Sequence, residues 1–582
     1  MTPTPRPTLP VRATLVLALA LAGVLSAGCS ARYDAATRAR FDDLTQRHFR
    51  AQYAFNPSFA TYWGVHDYDD SLENWNAETI AAEEARLRKV LEELQTIDPK
   101  MLRDTTRIDY ALFQSGVQSS LFQLTDLRGW ERDPGQYNYG FMLEAMISRN
   151  FAPPEQRLRS LTNRLRLVPR FFANARANLK NPPHMFTEFA AGDLEGTISY
   201  LENDATKAFA SVTDPALQSA FAEAKAGAVA ATKEQIEWMK KDLLPRSNGD
   251  YVLGEDLYKK RLLYEEMIDM PLDSILAIGQ HELDRLQARA EAAARKIDPA
   301  APRDSIVARM RRDHPTADEL LPYVTALSES ARAFTIRSGF IEIPSEVRAA
   351  VRPTPEYAAS RSFASFDGPG PFETKATDAY YNVTLPNKSW TPERVEVHLQ
   401  AYNRWTLPSV TAHEVYPGHY VHFLYARRAP TLVRKGIGSG AFAEGWGLYT
   451  EEGVLDKGYG NGDPRVEFGV MTWALIRACR LQVGIRMHTR GMTMEEATRF
   501  FMEHAGMEQA NAEREAGRGA FDPMYSIYTI GAMQIRKLRD DVKRQEGDKF
   551  DLARFHAAIL SQGSLPVVLL RRMMLKEEGA SL

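Results

Sequence analysis

The chain has 582 residues, with 72 Lys+Arg against 75 Asp+Glu and a formal net charge of −3. Its 25% charged and 44% hydrophobic residues are ordinary for a soluble globular protein and exclude collagen-like, coiled-coil and disordered classes. The balanced charge gives no support to nucleic-acid binding, which calls for a basic excess. The two cysteines, Cys29 and Cys479, cannot make a disulfide framework.

Met1–Arg12 carries Arg6 and Arg12 and no acid, and an apolar run follows from Ala13 to Leu25. Small residues Ser26-Ala27-Gly28 then lead to Cys29. A basic start, a short apolar stretch and small residues read as an export signal over 1–28. The run is too short for a membrane span of ~20 apolar residues. Ala27-Gly28-Cys29 resembles a bacterial lipobox, which implies cleavage before Cys29 and lipid on its sulfur. Ser26 stands where a lipobox usually has leucine. Removing 1–28 deletes two arginines and no acids, which takes the net charge from −3 to −5. The expected location is the cell envelope, facing the periplasm, with membrane contact only through the lipid anchor; without lipidation the same signal implies secretion to the periplasm.

Helical periodicity dominates the rest. Ala77–Ile97 places Leu87, Val90, Leu91 and Leu94 on one stripe. Asp214-Pro215 reads as an N-cap and first helical residue, with helix to Leu244. Helices are expected over Asp273–Ile297 and Thr316–Ser338, and another begins at Thr391-Pro392. Thr493 and Glu496 form a capping box. The one convincing strand is Ala379–Leu385, after the Gly/Pro-rich loop 367–371. These patterns predict one large, mainly α body over 30–582, with a small β element near 379–385 and a soft division near 340–375.

The densest chemical signal is His413-Glu414-Val415-Tyr416-Pro417-Gly418-His419. A His-Glu pair followed by a second His resembles the zinc peptidases. Their usual spacing of four turns a helix by about 400°, so both imidazoles share a face. Here the spacing is six, about 600° and a rise of ~9 Å, which no regular helix closes on one ion. Pro417-Gly418 offers the remedy, because proline breaks the helix and glycine takes unusual dihedrals. Downstream lies Glu444-Gly445-Trp446-Gly447-Leu448-Tyr449-Thr450-Glu451-Glu452. Glu444 is 25 residues past His419, and Glu451 follows seven later on roughly the same helical face.

HEVYPGH followed by FAEGWGLYTEE resembles the bacterial domain-of-unknown-function family 885. Asn56-Pro57-Ser58-Phe59-Ala60-Thr61 leading to Gly64 is similar to its N-terminal signature. Arg477, Arg480 and His488, then Tyr525–Gly531, fit its C-terminal region. The resemblance implies a zincin-like helical fold with an interior groove and a gluzincin-type metallopeptidase activity. It implies Zn²⁺ held by His413, His419 and Glu444, with Glu414 as general base. Tyr528 and His488 are expected to assist catalysis, with Tyr525 as a further candidate. Arg477 or Arg480 is expected to hold a peptide carboxylate. Tyr381 and Asn382 are expected to pair with an extended substrate, and Glu451 to support a ligand.

Other assignments fit the same residues. His419 and His422 are three apart and form an alternative chelating pair, and Glu451 or Glu452 is an alternative third ligand. Tyr528 in an apolar helix reads equally as core, and Trp446 reads as packing. Arg477 and Arg480 read equally as internal ion pairs. The substrate class expected is short peptides, with no nucleic-acid partner. Two rival functions are a non-catalytic peptide-binding envelope protein, favoured by the unusual His spacing, and a zinc hydrolase of non-peptide amides.

Overall fold

The computed structural model describes residues 34–359 and 362–582, so the expected export signal and Cys29 lie outside it. The helices used below are α1 (Ala35–Phe55), α2 (Ala77–Gln95), α3 (Asp104–Phe122), α4 (Leu272–Ile297), α5 (Leu407–Glu414), α6 (His419–Ala426), α7 (Gly440–Asp456), α8 (Pro464–Thr489) and α9 (Ile527–Glu546). Among the described residues the fold is mainly α with one small sheet.

Local signals start the helices where the sequence places them. Asn76 caps α2, its side chain accepting from the Thr79 N–H at 2.9 Å, and Leu87, Val90 and Leu94 are buried. Asp214 caps Pro215–Trp238 through the Ala216 and Leu217 N–H groups. That helix then loosens into a π turn over Met239–Leu243, so its α-helical part stops short of the expected Leu244. Thr493 and Glu496 make the reciprocal capping box. The expected helix at Thr316 begins at Leu320, because Thr316 and Glu319 bond each other in a preceding turn.

The sheet has three strands, β1 (Ala349–Pro353), β2 (Ala364–Asp367) and β3 (Ala379–Val383). Its order is β1-β3-β2, with β1 parallel and β2 antiparallel to β3. The expected strand is thus central. Its two partners are short and lack the alternating pattern that would announce them. Beneath the sheet a buried ion network ties Asp367 to Arg149 at 2.6 Å and to Arg352 at 3.1 Å. Arg352 also reaches Glu144 at 3.0 Å.

Apolar side chains collect in three clusters. The largest runs from α1 to the C-terminal helices and surrounds α5 to α9. A second joins helices between Leu72 and Leu243. A third, smaller one packs Tyr258 and Leu262 against Leu481 and Ile485 of α8. Cys479 is a free thiol in the largest cluster, and burial pushes its pKa up, as suits an inert core residue. Among the described residues no helix is long and apolar enough to cross a membrane.

Candidate metal centre

The HEVYPGH segment breaks as its spacing demands. α5 ends at Glu414, Val415 leaves the helical region (φ −123, ψ −70), and α6 begins at His419. Gly418 takes φ −71, ψ −131 and lies so close to the end of α5 that a Cβ would fall 1.8 Å from the His413 carbonyl oxygen. No side chain fits there. The buried Trp446 indole fixes the reversal by donating to the carbonyls of Pro417 at 3.0 Å and Gly418 at 3.2 Å. Trp446 therefore packs, and its packing shapes the site.

The break folds His419 back onto His413, with ring centroids 4.7 Å apart. Glu444 completes the group, and one ligand atom from each of the three residues lies within 4.8 Å of the others. Glu444 Oε2 is 3.4 Å from Nε2 of both histidines, and donors arranged tetrahedrally at ~2.0–2.1 Å from an ion would be about 3.4 Å apart. That oxygen is buried and makes no hydrogen bond. An N₂O donor set with an orphaned carboxylate oxygen fits zinc in its catalytic mode. The Glu444 side chain keeps 29% exposure against 3% for His413 and 11% for His419, so solvent reaches the cluster from the Glu444 side.

Neighbouring groups set the state of each member. Glu451 Oε1 accepts from His413 Nδ1 at 2.8 Å, which orients Nε2 toward Glu444. Ser409 donates to the other oxygen of Glu451. Burial lowers the His413 pKa, but the carboxylates of Glu444 and Glu451 outweigh it and lift it to about 9. Burial pushes the Glu444 carboxyl up, yet His419 and His413 hold it well below its ordinary value. Glu414, beside His413, is raised by burial against the opposing charges of the two histidines. Its Oε2 accepts the Phe366 N–H of β2 at 2.8 Å.

Two glycines of the EGWG segment create the required proximity. A Cβ on Gly447 would fall 2.5 Å from the His413 ring, and one on Gly445 would fall 2.4 Å from the Gly531 backbone of α9. The second contact seats α7 directly on α9. Tyr528 follows from that seating: its ring stacks on His413 at 6.1 Å. Arg518, from the helix Gln509–Phe521, donates to the Tyr528 hydroxyl at 3.4 Å. Burial and Glu444 push the Tyr528 pKa up to about 12 against Arg518 and Arg480.

Several expected residues lie elsewhere. His488 is eight residues beyond Arg480 on α8, about 12 Å along the helix. Its Nε2 is bound to the Gly519 carbonyl at 2.8 Å, and its ring lies among Tyr251 and Tyr258. It is a packed histidine, not a partner of the metal cluster. Tyr381 and Asn382 cannot pair with substrate, because β1 and β2 occupy both edges of β3. Their side chains are engaged with Thr411 and with Arg352 and Ser365. Arg480 spends its fork on Glu515 at 2.7 and 2.8 Å and lies over the Tyr525 and Tyr528 rings. Arg477 stacks on Trp473 and approaches Glu451 at 4.0 Å. Tyr525 is buried with its hydroxyl unpartnered. His422 bonds Ser564 through Nε2 at 3.1 Å and lies outside the group of converging ligand atoms. Glu452 is held by Arg285, Arg289 and Arg536. Arg518 and the Phe366 N–H were not legible, because each belongs to a segment with no motif of its own.

Residues 57–574 match the model of a family described as "Bacterial protein of unknown function (DUF885)". Two solved structures are similar over nearly their whole length. One is described as "a putative lipoprotein of unknown function from Shewanella oneidensis". It is 28% identical with a TM-score of 0.74, covering 93% of this chain and 99% of that one. The other is described as "the putative lipoprotein from Colwellia psychrerythraea". It is 18% identical with a TM-score of 0.78, covering 92% and 98%. No curated protein matches.

Proposed function

The chain belongs to the DUF885 family of bacterial proteins of unknown function, and from that premise we propose that it is an exported zinc-dependent metallopeptidase acting on short peptides. The observation that carries the reading is the convergence of His413, His419 and Glu444 beside Glu414. Zinc held by those three residues would polarise a scissile carbonyl and acidify a water molecule. Glu414, held by the Phe366 N–H, takes the proton of the attacking water and passes it to the leaving amine. Tyr528 keeps its proton at neutral pH and donates to the oxyanion that develops on the substrate. Arg518 orients that hydroxyl.

The low exposure of the two histidines, with access only from the Glu444 side, favours an extended chain over a folded protein surface. The break at Val415–Gly418 accounts for the spacing of six between the histidines, which supports a metal site over a binding-only scaffold. The lipid-anchored envelope location rests on the Ala27-Gly28-Cys29 sequence, and the description of the Shewanella relative as "a putative lipoprotein" agrees with it.

The test is metal analysis together with hydrolysis of a mixed peptide library by the wild type and Glu414→Gln. The expected result is stoichiometric zinc in both proteins and turnover only in the wild type. Equal turnover in the two would remove Glu414 as base. Absence of bound zinc after loading would remove the metal centre itself.

A further inference from the structure

A second built site lies away from the metal cluster. A cavity of about 230 Å³ opens among α1, α2 and the C-terminal end of α3, and shares no residue with the metal centre. Its floor is buried at His48, Ile80, Glu83 and Leu87, and its mouth is exposed at Gln123 and Gln136.

Three features distinguish it from a packing defect. Its wall includes a turn of π-helix, Gln123–Leu127, that extends α3 and is ended by Arg128 at φ 50. A π turn and a left-handed non-glycine both cost backbone energy and cluster where function needs a wall reshaped. Trp75 lines the cavity with its Nε1 buried and unpartnered. A buried N–H donor without an acceptor is rare in native proteins. Finally, the Gln136 amide sits in the space that Gly129 leaves, where a Cβ would fall 2.1 Å from its Nε2.

The lining specifies a ligand chemistry. Its charged residues, Glu83 and Arg86, neutralise each other through bonds of 2.7 and 2.6 Å. Burial holds His48 neutral, with its pKa pushed down to about 3. Such walls cannot offset a net charge on a ligand. Four amides, Gln52, Asn56, Gln123 and Gln136, supply donors and acceptors together, as hydroxyl groups require. The indoles of Trp75 and Trp130 add flat apolar faces. Trp130 is held rigid by its bond to the Leu124 carbonyl at 2.9 Å and by the Arg128 guanidinium over its ring at 5.1 Å. A molecule with many hydroxyls, no charge and a flat C–H face matches all of these. We propose that this cavity binds a neutral sugar of monosaccharide size, free or as the end of a glycan.

Ligand-observed NMR on the mature full chain tests this, with glucose, N-acetylglucosamine, di-N-acetylchitobiose and the charged analogue gluconate as probes. Saturation transfer to at least one neutral sugar, and none to gluconate, is expected. Transfer to the disaccharide's end ring assigns a glycan end, and transfer to the monosaccharides alone assigns a free sugar. Trp75→Phe keeps a ring and loses the donor, so affinity should fall about tenfold. Gln136→Leu, at the exposed mouth, should weaken binding without touching the fold. Silence from every neutral sugar, binding of gluconate as tight as glucose, or unchanged affinity in both variants would overturn the proposal.

Discussion

At the scale of single residues, the site depends on atoms that are missing as much as on those present. Gly447 leaves the space that the His413 ring occupies. Gly447→Ala should keep the helix, since alanine is the better helix former, while displacing His413. The expected result is an unchanged far-UV circular dichroism spectrum with loss of bound zinc. Glu451→Gln removes the charge behind His413 Nδ1. Zinc affinity, read by chelator competition, should fall by about 10–100-fold. Tyr528→Phe should retain zinc and lower kcat by about 10²–10³, the usual cost of one oxyanion donor. An equal loss of zinc in that variant would show that Tyr528 only packs His413. Much of this geometry was legible in the sequence. The Pro417-Gly418 pair announced the break, and the spacings to Glu444 and Glu451 announced their partnership. The roles of His488, Tyr381 and Asn382 were misread because sequence spacing carries no information on which strand edge is free or which carbonyl a ring will face.

At the scale of elements, the start of α7 carries a titrating cap. Glu266 is fully enclosed, accepting from Ser439 and from the Ala441 N–H at 3.0 Å. Burial lifts its carboxyl from 4.5 to about 7, more than those bonds lower it. The folded state therefore holds this proton where the unfolded chain has lost it. The resulting stabilisation is complete below the unfolded value and is lost as pH rises through about 7. Its size is about 3 kcal/mol. Urea unfolding across that window should show the decline in the wild type and a flatter profile in Glu266→Gln. A decline of equal steepness in the variant would assign it to another group. Elements also set the limits of reading from sequence: long, capped helices such as α2 were plain, whereas β1 and β2 gained their structure only by pairing with β3.

At the scale of the whole molecule, distant segments are joined by buried charge. Arg434 binds Asp109 of α3 at 2.5 Å and the Thr105 carbonyl at 3.0 Å, and it also reaches Gln562. Arg434→Met would strand Asp109 in the core. The expected loss is about 3–5 kcal/mol, seen as a lower melting temperature. An unchanged melting temperature would show that Asp109 finds another partner. No local pattern announces such a link, because its partners are 325 residues apart.

The break in HEVYPGH changes what a bound metal does mechanically. With histidines four apart, both imidazoles sit on one helix, and only the third ligand ties the metal to another element. Here the three candidate ligands come from α5, α6 and α7, so an ion held by them would act as a clasp across three separate elements. Its binding energy becomes tertiary stability. If the proposed function holds, stripping zinc should lower the melting temperature as well as abolish turnover, and heat should unfasten the proposed metal centre and the fold in one event.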